Sequence, residues 1–429
     1  MSEQKARFLD QEPDCIAIIP EHPGYVVIGT YSLIKDDENP TSAGQRRKGS
    51  LQIVPFDESN SEDVDLARLD FDFGIYDLQF HPVWRNELGI ATSHGEIWFY
   101  TVEAEHDKEH GYLTSLKLRK NWQLPIEPPH PDTDQIAIIT QFQFLDLEER
   151  AIPLLVATSS FGHTRLIKAP INGHNAVVEQ NKLIHSHKVK MEAWSTTTVI
   201  DKASKRIFVL SGGDDAQVII SSAYAPALAE SDLEIDVSSL NPVRRLVDRR
   251  THSAGVVSFC NIGKHPGLPA GQTSQWAKAS GTLILTGSYD EHIRLFLLAP
   301  PETNDGNWQP KAFEMLCELN LGGGVWRIMC LDHYTRHEES EHEYVLLIAG
   351  HFGGALIVRL SISRDAANDS DWEYELHIEK RFEGHGDESL VYAAAGKRDE
   401  VVSKRWNLIS ASFYDKKVCN WQWIDEEKQ

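Results

Sequence analysis

The chain has 429 residues, 41% of them hydrophobic and 25% charged, with a formal net charge of −22. That composition can bury a sizeable core and is not that of a disordered chain. The acidity excludes a basic footprint, so neither nucleic acid nor an anionic membrane is an expected partner. The N-terminal MSEQKARFLDQEPD is charged and has no apolar h-region, so no secretory signal is expected. The longest apolar stretch, 346–360, is broken by His351 and the Gly353-Gly354 pair and is too short to span a bilayer. Five scattered cysteines without a C-x-x-C pair suit reduced, mostly buried thiols and a cytoplasmic location.

Helical periodicity is scarce. Short runs rich in Val, Ile, Leu, Thr and aromatics alternate with Gly, Asp, Asn and Pro clusters, which is the pattern of an all-β protein. One unit recurs: an apolar strand ending in small residues, a turn with Gly or Asp, then a second apolar strand. It appears first split, as 24–31 and 48–54 around an insertion, then as GIATSHGEIWFY (89–100), LLVATSSFGHTRLI (154–167) and IFVLSGGDDAQVII (207–220). It returns as LILTGSYDEHIRLF (283–296), YVLLIAGHFGGALIV (344–358) and NLISASFYDKKVCNW (407–421). Asp or Gly at the turn suits a hairpin that needs positive φ or an Asx-turn.

The unit resembles the blade of a WD-repeat β-propeller. In the last copy Gly384-His385, Ser410, Asp415 and Trp421 follow the order of the WD hydrogen-bond tetrad. The fifth has His252 and Asp290, with Phe296 in place of Trp. Seven copies imply a single domain over 1–429, an all-β, seven-bladed WD-repeat propeller with long loop insertions. Unrelated strands in a β-sandwich are the alternative, and the repeats weigh against it. The turns near 162, 215, 290, 353 and 415 lie 53 to 75 residues apart, whereas a bare blade takes about 40–45. Disordered loops are therefore expected near 35–47, 264–280, 300–310 and 333–343. The last blade lacks an outer strand, and residues 5–10 are expected to supply it and close the ring.

In such a blade the loop before the first strand and the turn between the second and third share a face. Segments 212–215, 251–252, 288–291, 322–327, 384–392 and 412–415 thus meet at one channel mouth, a common ligand position. Asp290, Asp415, His252 and His385 read first as tetrad residues, and Ser389 as a core hydroxyl. The blade needs neither Trp326 nor Arg327, so that pair is the least ordinary feature. The chain has no G-x-S-x-G elbow, H-E-x-x-H, P-loop or dinucleotide fingerprint. His337 to His342 form an acidic insertion and read as a solvated loop.

GGDD (212–215), THSAGV (251–256), TGSYDEHIRLF (286–296), LGGGVWRI (321–328), HGDESLVYAAAG (385–396) and SASFYDKKVCNW (410–421) together resemble the diphthine methylesterase family, WD-repeat proteins of diphthamide biosynthesis. The likeness covers about 14–424. One departure is that Gly386 and Asp387 separate His385 from Glu388, and Ala393 stands where the family has Gly. The resemblance implies hydrolysis of the methyl ester of diphthine on translation elongation factor 2, without cofactor or metal, by a monomer. It implies catalytic roles for His385 or a nearby carboxylate (Asp387, Glu388) as base, Ser389 or a water as nucleophile, and Arg327 with the 322–324 amides for the oxyanion. A trimethylammonium beside the ester would meet Trp326, Tyr289, Asp290, Glu291, Tyr414, Asp214 and Asp215, with Gly323 and Gly324 lining the pocket. A non-catalytic WD-repeat scaffold for protein assembly is the competing reading.

Overall fold

The computed structural model describes residues 5–34, 46–56, 64–147, 150–169, 179–202, 205–225, 235–238, 240, 242–266, 281–299, 313–336, 340–364, 372–386 and 389–426. These residues are all-β, with no α-helix among them, and they form seven antiparallel-built sheets. Among them no helix is long and apolar enough to cross a membrane.

Sheet one holds Pro13–Ile18, Tyr25–Thr30 and Arg47–Pro55, with Arg68–Phe71 outside and Ser32–Leu33 beside the third strand. Sheet two holds Ile75–Phe80, Glu87–Thr92, Glu96–His106 and Leu113–Pro125, edged by the parallel Asp65–Leu66. Sheet three holds Ile139–Leu147, Arg150–Ser159, His163–Lys168 and Gln180–Ser186, and sheet four Ala193–Asp201, Arg206–Gly213, Val218–Tyr224 and Pro242–Asp248. Sheet five holds Val256–Lys264, Thr282–Ser288, His292–Leu298 and Phe313–Asn320, and sheet six Val325–Arg336, Glu341–Gly350, Gly354–Ser363 and Glu373–Phe382. Sheet seven holds Val391–Arg398, Arg405–Ser412 and Lys417–Ile424, and its outer strand is Lys5–Phe8, with Lys5 opposite Asn420 and Phe8 opposite Lys417. Each recurring sequence unit falls on the second and third strands of one sheet.

Side chains alternate across a strand, and here both faces are apolar because each sheet is packed on two sides. In Glu341–Gly350, Leu346 and Ile348 join the core shared with sheet five, whereas Val345 and Leu347 join the core shared with sheet seven. Further apolar clusters lie between sheets one and two, two and three, three and four, and four and five. Another joins Val26 and Ile28 of sheet one to Ile409 and Ala411 of sheet seven. The first strands also touch in chain order, and Val391–Arg398 touches Pro13–Ile18. This architecture is consistent with a propeller-like fold.

Two expectations need correcting. In the loop expected at 333–343, residues 333–336 and 341–343 are paired strand instead, because pairing runs from His333 with Tyr344 to Arg336 with Glu341. Its alternation of half-buried and exposed residues is that of strands, which the acidic composition masked. Residues 337–339 lie outside the described residues, as do most of 35–47, 264–280 and 300–310. The five cysteines are free, but only Cys15 and Cys419 are buried and Cys330 is exposed.

Candidate functional site

The same irregularity recurs in all seven first strands. Pairing with the second strand skips one residue, between Pro13 and Cys15, Ile75 and Asp77, Ile139 and Gln141, and Ala193 and Ser195. It skips again between Val256 and Ser258, Val325 and Arg327, and Val391 and Ala393. A β-bulge leaves the extra residue outside the ladder and re-aims its side chain. The residues so released are Asp14, Tyr76, Thr140, Trp194, Val257, Trp326 and Tyr392. Glycines let the sheets close up there: a Cβ on Gly212 would stand 2.5 Å from Val256 O, and one on Gly287 2.6 Å from Val325 O.

A second set repeats beside the first. The residue after each second strand donates its N–H to the carbonyl two positions before the bulge. The donors are Tyr31, Ser93, Ser160, Asp214, Tyr289, His351 and Phe413, onto Glu12, Gly74, Ile138, Glu192, Gly255, Gly324 and Leu390. Seven sequence-distant residues are thereby fixed at the same level as the bulges.

Aromatic rings concentrate in these two sets. Trp326 lies 5.6 Å from Trp194, 5.9 Å from Tyr289, 5.1 Å from His351 and 4.7 Å from Tyr392, between ring centroids. The belt continues from Tyr392 to Phe413 at 4.6 Å, to Tyr31 at 4.8 Å from Phe413, and to Tyr76 at 4.5 Å from Tyr31. Carboxylates adjoin it. Trp194 Nε1 donates to Asp214 Oδ1 at 2.7 Å, and burial raises the pKa of both Asp214 and Glu192, each of which also repels the other or a neighbouring acid.

Next to the belt is a cavity of about 400 Å³ lined by first-strand residues of all seven sheets, including Cys15, Asp77, Gln141, Thr196, Ser258, Arg327 and Tyr392. Arg327 reaches from sheet six to sheet two. Its Nη2 donates to Tyr76 O at 3.2 Å and stands 3.8 Å from Asp77 Oδ1. Asp77 Oδ2 also accepts from Phe142 N and Gln79 Nε2, both at 3.3 Å. Burial raises its pKa, opposed by Arg327. Asp14 is 1% exposed, and neither carboxylate oxygen has a hydrogen-bond partner among the described residues. Burial pushes it up to about 8, with Arg327 pulling down and Asp77 pushing up. Burial also pushes His351 down to about 4, so its ring is neutral at pH 7.

Of the expected site residues, the structure brings together Trp326, Arg327, Tyr289 and Asp214. Gly323 and Gly324 pack behind them, where a Cβ on Gly323 would fall 2.0 Å from His351 O. Tyr414 sits at the outer margin, 71% exposed, edge-on to Phe413 at 5.2 Å. Other positions need correction. The His385 ring lies inside sheet seven, with Nε2 2.8 Å from Ser410 Oγ, and Trp421 Nε1 donates to the same hydroxyl at 3.1 Å. This is the tetrad place read first for it, and His385 is not among the residues that line the cavity. Ser389 Oγ is turned to Gly386 O at 2.9 Å. The Asp215 side chain is fully buried against His187 Nδ1 at 2.8 Å, and His187 Nε2 meets Ser211 Oγ at 2.9 Å, so sheet four also carries a tetrad core. Asp290 is held by Arg294 and the Ser253 amide, and Glu291 occupies an exposed turn position at φ 70. Asp387 and Glu388 lie outside the described residues.

Residue-type reasoning passed over Asp14, Tyr31, Tyr76, Asp77, Trp194, His351 and Tyr392. One signal was present: the strand openings Ile-Tyr-Asp, Ala-Trp-Ser, Val-Trp-Arg and Val-Tyr-Ala share an aromatic in second place.

No protein-family model matches the chain. The chain is 23% identical to the diphthine methyltransferase homolog of Dictyostelium discoideum, over 97% of its own length and 98% of that protein. It is 24% identical to the diphthine methyltransferase of Schizosaccharomyces pombe, over 92% and 90%, and 22% identical to that of Saccharomyces cerevisiae, over 95% and 95%. The likeness therefore runs the length of the chain at low identity. Chemically, the site offers aromatic faces and carboxylates to a cation, and beside them a guanidinium and a buried carboxyl to a polar group.

Proposed function

We propose that the seven sheets are the blades of a closed WD-repeat propeller whose channel mouth hydrolyses the methyl ester of diphthine on translation elongation factor 2. Methanol leaves, and the carboxylate that remains is ready for amidation to diphthamide. The observation that carries this reading is the aromatic belt around Trp326, set against Arg327 and its cavity. A quaternary ammonium seeks ring faces and acidic neighbours, and each desolvated cation–π contact contributes about 2 kcal/mol. Arg327 stands at one side of that belt, where a guanidinium can stabilise charge developing on an ester carbonyl. The relatives' names support a role in diphthamide biosynthesis. In this reading the protein is a cytoplasmic monomer that needs no cofactor, and water is the acceptor in the reaction.

The test is mass spectrometry of elongation factor 2 carrying methylated diphthine, incubated with purified protein. Loss of one CH₂ with release of methanol is expected. A gain of methyl from an added sulfonium donor would establish transfer to the substrate instead. Unchanged mass with stable binding would favour the scaffold.

A further inference from the structure

Asp14 is the one member of the bulge set that carries an ionisable carboxyl, and among the described residues nothing donates a hydrogen bond to it. On the neighbouring first strand of sheet two the residue after the bulge is a second acid, Asp77, which has bonds of its own, and Arg327 reaches to that acid from sheet six. Burying a carboxyl without a partner is costly, and folds retain such groups where they serve chemistry. Apart from Arg327 and Asp77, the ionisable groups facing it are Cys15, Tyr31, Tyr76, Tyr289 and Tyr392, all neutral at pH 7. The one cation that acts on Asp14 among these groups is Arg327, whose guanidinium also lines the cavity.

We infer that Asp14 is the proton-transferring catalytic residue of this site, placed by the sheet-one bulge to act on the water that attacks the ester held by Arg327. The inference rests on the hydrolase reading above. In the first step the Asp14 carboxylate takes one proton from water while the water oxygen bonds to the carbonyl carbon, and Arg327 faces the oxygen that becomes negative. In the second step the carbon–methoxy bond breaks and Asp14 returns the proton to the departing methoxide as methanol. The new carboxylic acid loses its proton to solvent. Water is the co-reactant, and no electrons are exchanged.

The experiment compares wild type, Asp14→Asn and Asp14→Glu for methanol release from methylated diphthine on elongation factor 2, between pH 5 and 9. Wild-type kcat is expected to rise with pH along a single titration limb. Asp14→Asn should lose at least 10²-fold in kcat with KM within threefold, and its residual rate should lack that limb. Asp14→Glu should recover part of the rate. Asp14→Asn turning over at more than a third of the wild-type kcat with the limb retained would overturn the assignment while leaving the hydrolase reading intact. A folded wild type that releases no methanol would remove the hydrolase reading, and this inference with it.

Discussion

Asp14 should also be felt in stability, because a buried carboxyl without hydrogen-bond partners opposes folding whenever the unfolded chain ionises it. Its pKa moves from 3.8 to about 8 on folding. Below pH 4 both states are protonated and the residue contributes no pH dependence. Between pH 4 and 8 the unfolded chain releases a proton that the folded chain keeps, so stability falls as pH rises, by 1.36 kcal/mol per unit. At pH 7 the accumulated loss is about 4 kcal/mol, and above pH 8 it levels off. Asp14→Asn removes this loss. An amide in the same place leaves a pH-independent cost of about 1–3 kcal/mol for its own unmet hydrogen bonds. The difference between variant and wild type, read from urea unfolding at pH 4.5, 6, 7 and 8.5, should therefore climb steadily in the variant's favour. A difference that stays flat across that range, or that falls, would refute the reasoning.

Three further outcomes follow from named contacts. Arg327→Met should cut methyl-ester turnover at least 10²-fold and, by removing the charge that holds Asp14 and Asp77 down, push both carboxyls higher, visible as a shift of the pH–rate limb to higher pH. Ser410→Ala should cost about 1–3 kcal/mol in denaturant unfolding, because it strips a partner from both His385 and Trp421, while kcat of the folded protein stays within twofold. Gly287→Ala should cost about 1–3 kcal/mol through a backbone collision with Val325 O and should lower kcat as well, because Trp326 and Arg327 follow directly on that strand.

Much of the architecture was written in the apolar units: each lands on the second and third strands of one sheet, because a strand buried on both faces must be apolar throughout and such runs stand out. Trp326, Arg327, Tyr289 and Asp214 were legible as site residues because turn positions share a face once the blade is assumed. Asp14 was not. It sits in a sheet whose copy is interrupted by an insertion, and its prominence comes from a bulge, which depends on backbone pairing and has no residue signature of its own. His385 and Asp215 misled for a related reason: the residue types that catalyse are also the types that tie a blade together, and only the direction of the ring separates the two uses. Tyr31 and His351 gain their place from a backbone N–H hydrogen bond to the carbonyl just before the neighbouring first strand, which any side chain could accompany.

The pairing of Lys5–Phe8 with Lys417–Ile424 has a consequence for how the protein is made. Synthesis delivers Phe8 roughly 20 to 80 s before Lys417, at about 5–20 residues per second. For that interval a short extended segment with an exposed phenylalanine has no sheet to join. Sheet seven can be completed only once Lys417–Ile424 has been made, so its outer edge rests on pairing between the two ends of the described residues.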